Sequence, residues 1–140
     1  MMPVEDATEL PHGSGARTVL VVDDEEMIRT LTEKALRHFG IHVLAAADGE
    51  EAVRVYEANG GTIGCVLLDL SMPRLDGEQT FARLQALDPA ARVVLMTGYP
   101  MSEAELRFGG RGLAAFLQKP FDVQLLRSAL DQAITQSEAS

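Results

Sequence analysis

Four apolar residues, three of them valine, run directly into two adjacent carboxylates at Val19-Leu20-Val21-Val22-Asp23-Asp24. An uninterrupted apolar run of this length reads as a strand buried on both faces, as strands of a parallel sheet are. Acids placed where such a strand stops stand at its carboxyl edge, where open α/β sheets put their ligand sites. The design recurs at Val66-Leu67-Leu68-Asp69. Two buried strands that both end in aspartate point to one acidic pocket assembled from distant parts of the chain.

The segments between them alternate in period. Residues 1–16 carry Pro3, Pro11, Gly13, Ser14 and Gly15 without an apolar period and read as a flexible leader or linker. A strand is expected over 17–22. A helix over 25–39 follows, with Ile28, Leu31, Ala35 and Phe39 at helical spacing, Asp24 as its cap and Gly40 as its stop. A second strand spans 41–46. Asp48-Gly49 then turns into a helix bearing Ala52, Val53 and Tyr56, which Asn59-Gly60-Gly61 ends.

The third strand is expected over 63–68, before the loop from Asp69 to Gly77. A helix with Thr80, Phe81, Leu84 and Leu87 comes next and breaks at Asp88-Pro89. A fourth strand covers 92–96 and ends at Thr97-Gly98. A weak helical segment at 102–108 and Gly109, Gly110 and Gly112 lead to a fifth strand over 113–117. After the break at Lys119-Pro120, Asp122 caps a last helix bearing Val123, Leu126, Leu130 and Ile134, and residues 137–140 read as a frayed tail.

Five strands alternating with helical segments define a doubly wound parallel α/β sheet with helices on both faces. Right-handed crossovers bring every loop that follows a strand to one edge. That edge receives Asp23, Asp24, Asp69, Thr97 and Lys119.

At 140 residues the chain is long enough for one domain with a full core, read here as 17–136. Twelve basic against 21 acidic residues leave a formal charge of −9. Nucleic-acid binding needs clustered Lys and Arg facing phosphates, which this balance does not supply. An acidic surface suits basic partners or cations instead. Cys65 is the only cysteine and lies in an apolar run, so it reads as a small core residue. No apolar stretch is long enough for a membrane span, and the acidic start is unlike a secretory signal, so a cytoplasmic location is expected.

Three carboxylates at one edge repel one another unless a cation neutralises them. Mg²⁺, which takes carboxylate oxygens and keeps waters, and the ammonium of Lys119 both meet that need. Aspartate is a competent nucleophile towards phosphorus, and phosphoryl transfer depends on neutralising charge. Asp69, alone at its strand end, is the expected phosphoryl acceptor, and the pair Asp23-Asp24 suits metal holding. A phosphoryl group there offers oxygens to Thr97 and Lys119. If Thr97 moves to donate its hydroxyl, the vacated volume can be filled by Phe116.

The chain resembles the receiver domains of two-component response regulators. The matching residues are Asp23-Asp24, the loop Asp69-Leu70-Ser71-Met72-Pro73 with Asp76-Gly77, Thr97-Gly98, Gly112, Phe116 and Lys119-Pro120-Phe121. The resemblance implies a flavodoxin-like sheet of order 2-1-3-4-5, a topology for which the family supplies a standard example. It implies a phosphorelay protein, whose Asp69 takes a phosphoryl group from the phosphohistidine of a sensor histidine kinase or a phosphotransfer domain. Asp24, Asp69 and the carbonyl of Ser71 would hold Mg²⁺, with Asp23 acting largely through water. Thr97 and Phe116 would be the switch pair, and the bond before Pro120 would be cis.

Such a protein catalyses only its own phosphorylation and dephosphorylation, binds an output partner the sequence does not name, and is compatible with a dimer formed on phosphorylation. No DNA-binding segment follows residue 136, which fits a single-domain regulator or the receiver of a hybrid histidine kinase. Gly98, where a small alanine is frequent, and Phe116, which lacks a tyrosine hydroxyl, depart from the commonest pattern. Competing readings are an aspartyl-phosphate phosphatase and a degenerate receiver used as a scaffold. The first usually has a second acid two residues after its nucleophile, where this chain has Ser71. The complete acidic, hydroxyl and amine set speaks against the second. More ordinary roles are an N-cap for Asp24 and core packing for Phe116; His12, His38 and His42 lack ligand spacing.

Overall fold

The computed structural model describes residues 18–59, 61–70, 77–98, 115–119 and 121–139, with side chains as far as residue 133. Its elements are β1 (Thr18–Val22), α1 (Glu26–His38), β2 (His42–Ala46), α2 (Gly49–Asn59), β3 (Ile63–Asp69), α3 (Gly77–Leu87), β4 (Val93–Thr97), β5 (Ala115–Gln118) and α4 (Val123–Ala139). The five strands form one parallel sheet in the order β2-β1-β3-β4-β5. The parallel, doubly wound sheet is the one expected from the alternation of apolar runs, and its flavodoxin-like strand order is the one that the resemblance implied. The expected helical segment at 102–108, Gly112 and the loop residues 71–76 lie outside the described residues.

The apolar runs are buried on both faces because alternate residues point to opposite sides of the sheet. On one face Val19, Val21, Cys65, Leu67, Val94, Met96, Ala115 and Leu117 pack under α1 and α4. On the other, Leu20, Val22, Val66, Leu68, Val93 and Leu95 pack under α2 and α3. Cys65 sits wholly inside the first layer, and burial pushes its thiol pKa up to about 12, so it is a core residue and not a nucleophile.

Helix ends follow local chemistry. α1 stops because Gly40 adopts a positive φ of 82°. The Gly40 and Ile41 amides then donate to the carbonyls of Arg37 and Leu36, closing the last turn. α2 starts on Asp48, whose Oδ1 accepts the Glu51 amide at 2.8 Å, while the Glu51 side chain accepts the Ala47 amide at 2.8 Å. Asp122 caps α4 as expected, accepting the Leu125 amide at 2.8 Å.

Asp24 does not cap α1. The N-cap residue is Glu25, which makes no side-chain cap bond, and the amide of Glu25 is taken by the carboxylate of Asp23 instead. Leu31 and Val123, expected on inward faces, are largely exposed, as is Leu87 in part. α1 packs through Thr32, Leu36 and its C-cap Phe39. Thr32 is tolerated there because its hydroxyl donates to the Ile28 carbonyl at 2.9 Å. Ile28, Leu31 and Ala35 therefore line a mostly apolar groove with Phe121, Val123 and Leu126, and Lys119 is also part of its lining.

Candidate functional site

Because all five strands run the same way, the ends of β1, β3, β4 and β5 meet at one rim. Asp23 and Asp24 follow β1 directly, and Lys119 follows β5. Asp69 and Thr97, expected just beyond their strands, are the last residues inside them. The ladder continues far enough to pair Asp69 with Met96 and Thr97 with Gln118. A residue held in a ladder has a fixed backbone direction, so these two side chains are aimed by the sheet.

The structure brings the three acids together. One carboxylate oxygen from each of Asp23, Asp24 and Asp69 falls within a cluster no more than 4.8 Å across. Asp23 and Asp69 are buried and Asp24 is exposed, so the cluster opens to solvent on the Asp24 side. Lys119 reaches in from β5. Its ammonium lies 3.1 Å from Asp23 Oδ2 and 3.4 Å from Asp69 Oδ1. Glu25, not singled out from the sequence, adds a carboxylate 3.8 Å from the same nitrogen at the exposed edge.

Burial alone would lower the Lys119 pKa, but the Asp69 and Asp23 carboxylates outweigh it and hold the amine above its ordinary value. The residue is therefore a cation that stabilises the acids, in the place the sequence assigned to it. The Lys119 amide also donates to the Thr97 carbonyl at 2.7 Å, fixing the loop after β5 to the end of β4.

Thr97 is buried, and Phe116 is half-buried against the α2/α3 layer. Thr97 follows Val93 and Leu95 at two-residue intervals, so it shares that face of the sheet with Phe116. Phe116 pairs with Leu95 and Gln118 with Thr97, so Phe116 stands on the neighbouring strand two residues below the level of Thr97. Among the described residues, a Cβ built on Gly98 would meet nothing within 4 Å. Ser71 and Pro120 lie outside the described residues.

Two further structural roles at the site were not read from the sequence, although Gly77 belongs to one of its matching motifs. The guanidinium of Arg29 donates to the Asp23 carbonyl at 2.7 Å. Its signal was positional: a residue one turn into a helix reaches back over the loop before it. The second is Gly77. A Cβ there would lie 2.5 Å from Leu70 Cα and 2.7 Å from the Asp69 carbonyl oxygen, so only glycine lets α3 start this close to the acidic strand end.

The oxygen-only donor set fits a hard divalent cation. Mg²⁺ prefers carboxylates and retained water to softer ligands, and the exposed side of the cluster leaves room for water.

Comparison with known proteins agrees with this geometry. The family model described as response regulator receiver domain matches residues 19–131. Sensor kinase CckA of Brucella abortus is 31% identical over 135 residues, which cover 96% of this chain and 14% of that protein. The chain thus spans about one-seventh of that relative's length. Among solved structures, a response regulator receiver domain protein of Clostridium thermocellum superposes with a TM-score of 0.81 at 28% identity, covering 87% of this chain and 97% of the other. A chain of the CheX–CheY–BeF3–Mg²⁺ complex of Borrelia burgdorferi superposes with a TM-score of 0.80 at 27% identity, covering 86% of this chain and 92% of the other.

The fold and the rim define a phosphorelay signalling module. The chain belongs to the response regulator receiver domain family.

Proposed function

We propose that the chain accepts a phosphoryl group on Asp69 in a Mg²⁺-dependent reaction and thereby changes a partner-binding surface. The observation that carries this reading is the convergence of three carboxylates within 4.8 Å, with the Lys119 ammonium 3.4 Å from Asp69. An Asp69 carboxylate oxygen attacks phosphorus, the new O–P bond forms as the donor's N–P bond breaks, and the imidazole leaves with the bonding electron pair. Asp24, Asp69 and the Ser71 carbonyl would hold the cation, with Asp23 engaged through water. The bound cation would neutralise charge on the phosphoryl oxygens.

Lys119 is already placed against Asp69 and can pair with a phosphoryl oxygen without leaving the rim. Thr97 supplies a hydroxyl from the neighbouring strand end, and Phe116, on the same face, follows it. The donor is a sensor histidine kinase or a phosphotransfer domain in the cytoplasm. The relative CckA is named a sensor kinase, and the Borrelia CheY structure contains BeF3 and Mg²⁺. The chain acts on its own aspartate only, so it is a switch and not an enzyme with a separate substrate.

Incubation with acetyl phosphate and Mg²⁺ should add one phosphoryl group by intact mass, and chelation of Mg²⁺ should abolish the addition. Asp69→Asn should block it; an Asp69→Asn chain labelled as fast as the wild type would refute the acceptor assignment.

A further inference from the structure

We infer that Arg29 is a positioning residue for the metal-binding acids, acting through the peptide that joins Asp23 to Asp24. This rests on the Mg²⁺ reading of the same rim. Asp23 is held at every polar atom. Its amide donates to the Ala46 carbonyl at 3.2 Å, Oδ1 accepts the Glu25 amide at 2.9 Å, and Oδ2 faces Lys119 at 3.1 Å. The remaining atom, the carbonyl oxygen, accepts from Arg29 Nη1 at 2.7 Å.

That last contact differs in what it controls. The peptide group is planar, so fixing the Asp23 carbonyl fixes the plane through which the chain enters Asp24. Asp24 is the exposed member of the cluster and takes its direction from this backbone. Arg29 is itself set in place by α1, where its amide donates to the Glu25 carbonyl at 2.9 Å, and it is half-buried. A guanidinium offers a rigid, permanently charged fork suited to this task.

A bare positive charge near the acids would have the opposite consequence, since it repels a divalent cation. Positioning and simple electrostatics therefore predict effects of opposite sign, and the sign is measurable.

The test is Mg²⁺ titration of the full chain by calorimetry at pH 7, for wild type, Arg29→Met and Arg29→Gln, with folding checked by circular dichroism. Groups that orient metal ligands typically contribute about 10-fold or more to affinity, so Arg29→Met should bind Mg²⁺ roughly 10-fold more weakly. Arg29→Gln, neutral but still a donor, should fall between it and the wild type. If Arg29→Met does not fold, Arg29→Gln decides the question by the same sign. Unchanged or tighter Mg²⁺ binding in the folded variants overturns the inference while leaving the proposed function intact. A wild-type chain that does not bind Mg²⁺ overturns both.

Discussion

The ammonium of Lys119 lies 3.1 Å from the fully buried carboxylate of Asp23, a residue 96 positions earlier in the chain. The same nitrogen sits 3.4 Å from Asp69, so one amine offsets the charge of two buried acids. Replacing it with Lys119→Met leaves those acids facing each other without compensation. Lys119 is 19% exposed, so solvent softens the loss; an expected cost of about 2 kcal/mol follows from removing a charged hydrogen bond to a buried group. Denaturant midpoints at pH 7 without Mg²⁺ measure it, and a midpoint equal to wild type would mean the pair does not stabilise the fold. Labelling by acetyl phosphate should also slow, because Asp69 loses the cation beside it.

The sign of the pH effect is fixed by the direction of the Lys119 shift. The folded chain holds the amine's proton more tightly than the unfolded chain does, since its pKa is raised above the ordinary 10.5. The resulting stability is fully present below pH 10.5 and is lost as pH climbs through the higher folded value. The stability difference between wild type and Lys119→Met should therefore stay flat from neutral pH into the mildly alkaline range. It should shrink only above pH 10.5. A difference that fades between neutral pH and 10.5 would contradict the raised value.

Gly77 allows α3 to begin against the strand end that bears Asp69. A methyl group there would lie 2.7 Å from the Asp69 carbonyl oxygen, and that neighbour is backbone, which cannot swing aside. Gly77→Ala should cost about 1–3 kcal/mol, the usual range for overpacking, and should also slow labelling of Asp69 by displacing it. Thermal melts and the acetyl phosphate assay read the two effects separately.

Tyr56 and Asp88 tie α2 to the end of α3 far from the rim. The Tyr56 hydroxyl donates to Asp88 Oδ2 at 2.7 Å, and burial together with this carboxylate raises the phenol pKa well above its ordinary value. Tyr56→Phe removes one hydrogen bond and little volume, for an expected cost of about 1 kcal/mol. Mg²⁺ affinity and phosphorylation rate should be unchanged. A large effect on either would show that this clamp is coupled to the rim.

The strands and the rim were legible because their signal is strong and local. Residues buried on both faces leave an unbroken apolar run, and parallel topology then decides where Asp23, Asp69, Thr97 and Lys119 meet. The errors came where two side chains compete for one role. Asp23, not Asp24, takes the Glu25 amide, leaving Asp24 turned over to the acidic cluster. In α1 a self-satisfied Thr32 occupies the inward face that Leu31 was expected to hold. Arg29 was missed, and Gly77 was noted only as part of a motif without its packing role, because both roles depend on what approaches them and no periodicity records an approach.

Lys119 grips two parts of the molecule at once, its amine the acids of β1 and β3 and its amide the last carbonyl of β4. On the proposed function, a tug on the ammonium by a newly arrived anion would thus be delivered, through one side chain, to the seam between the two outermost strands on that side. A single residue would then gear the chemistry at the centre of the sheet to the shape of its margin.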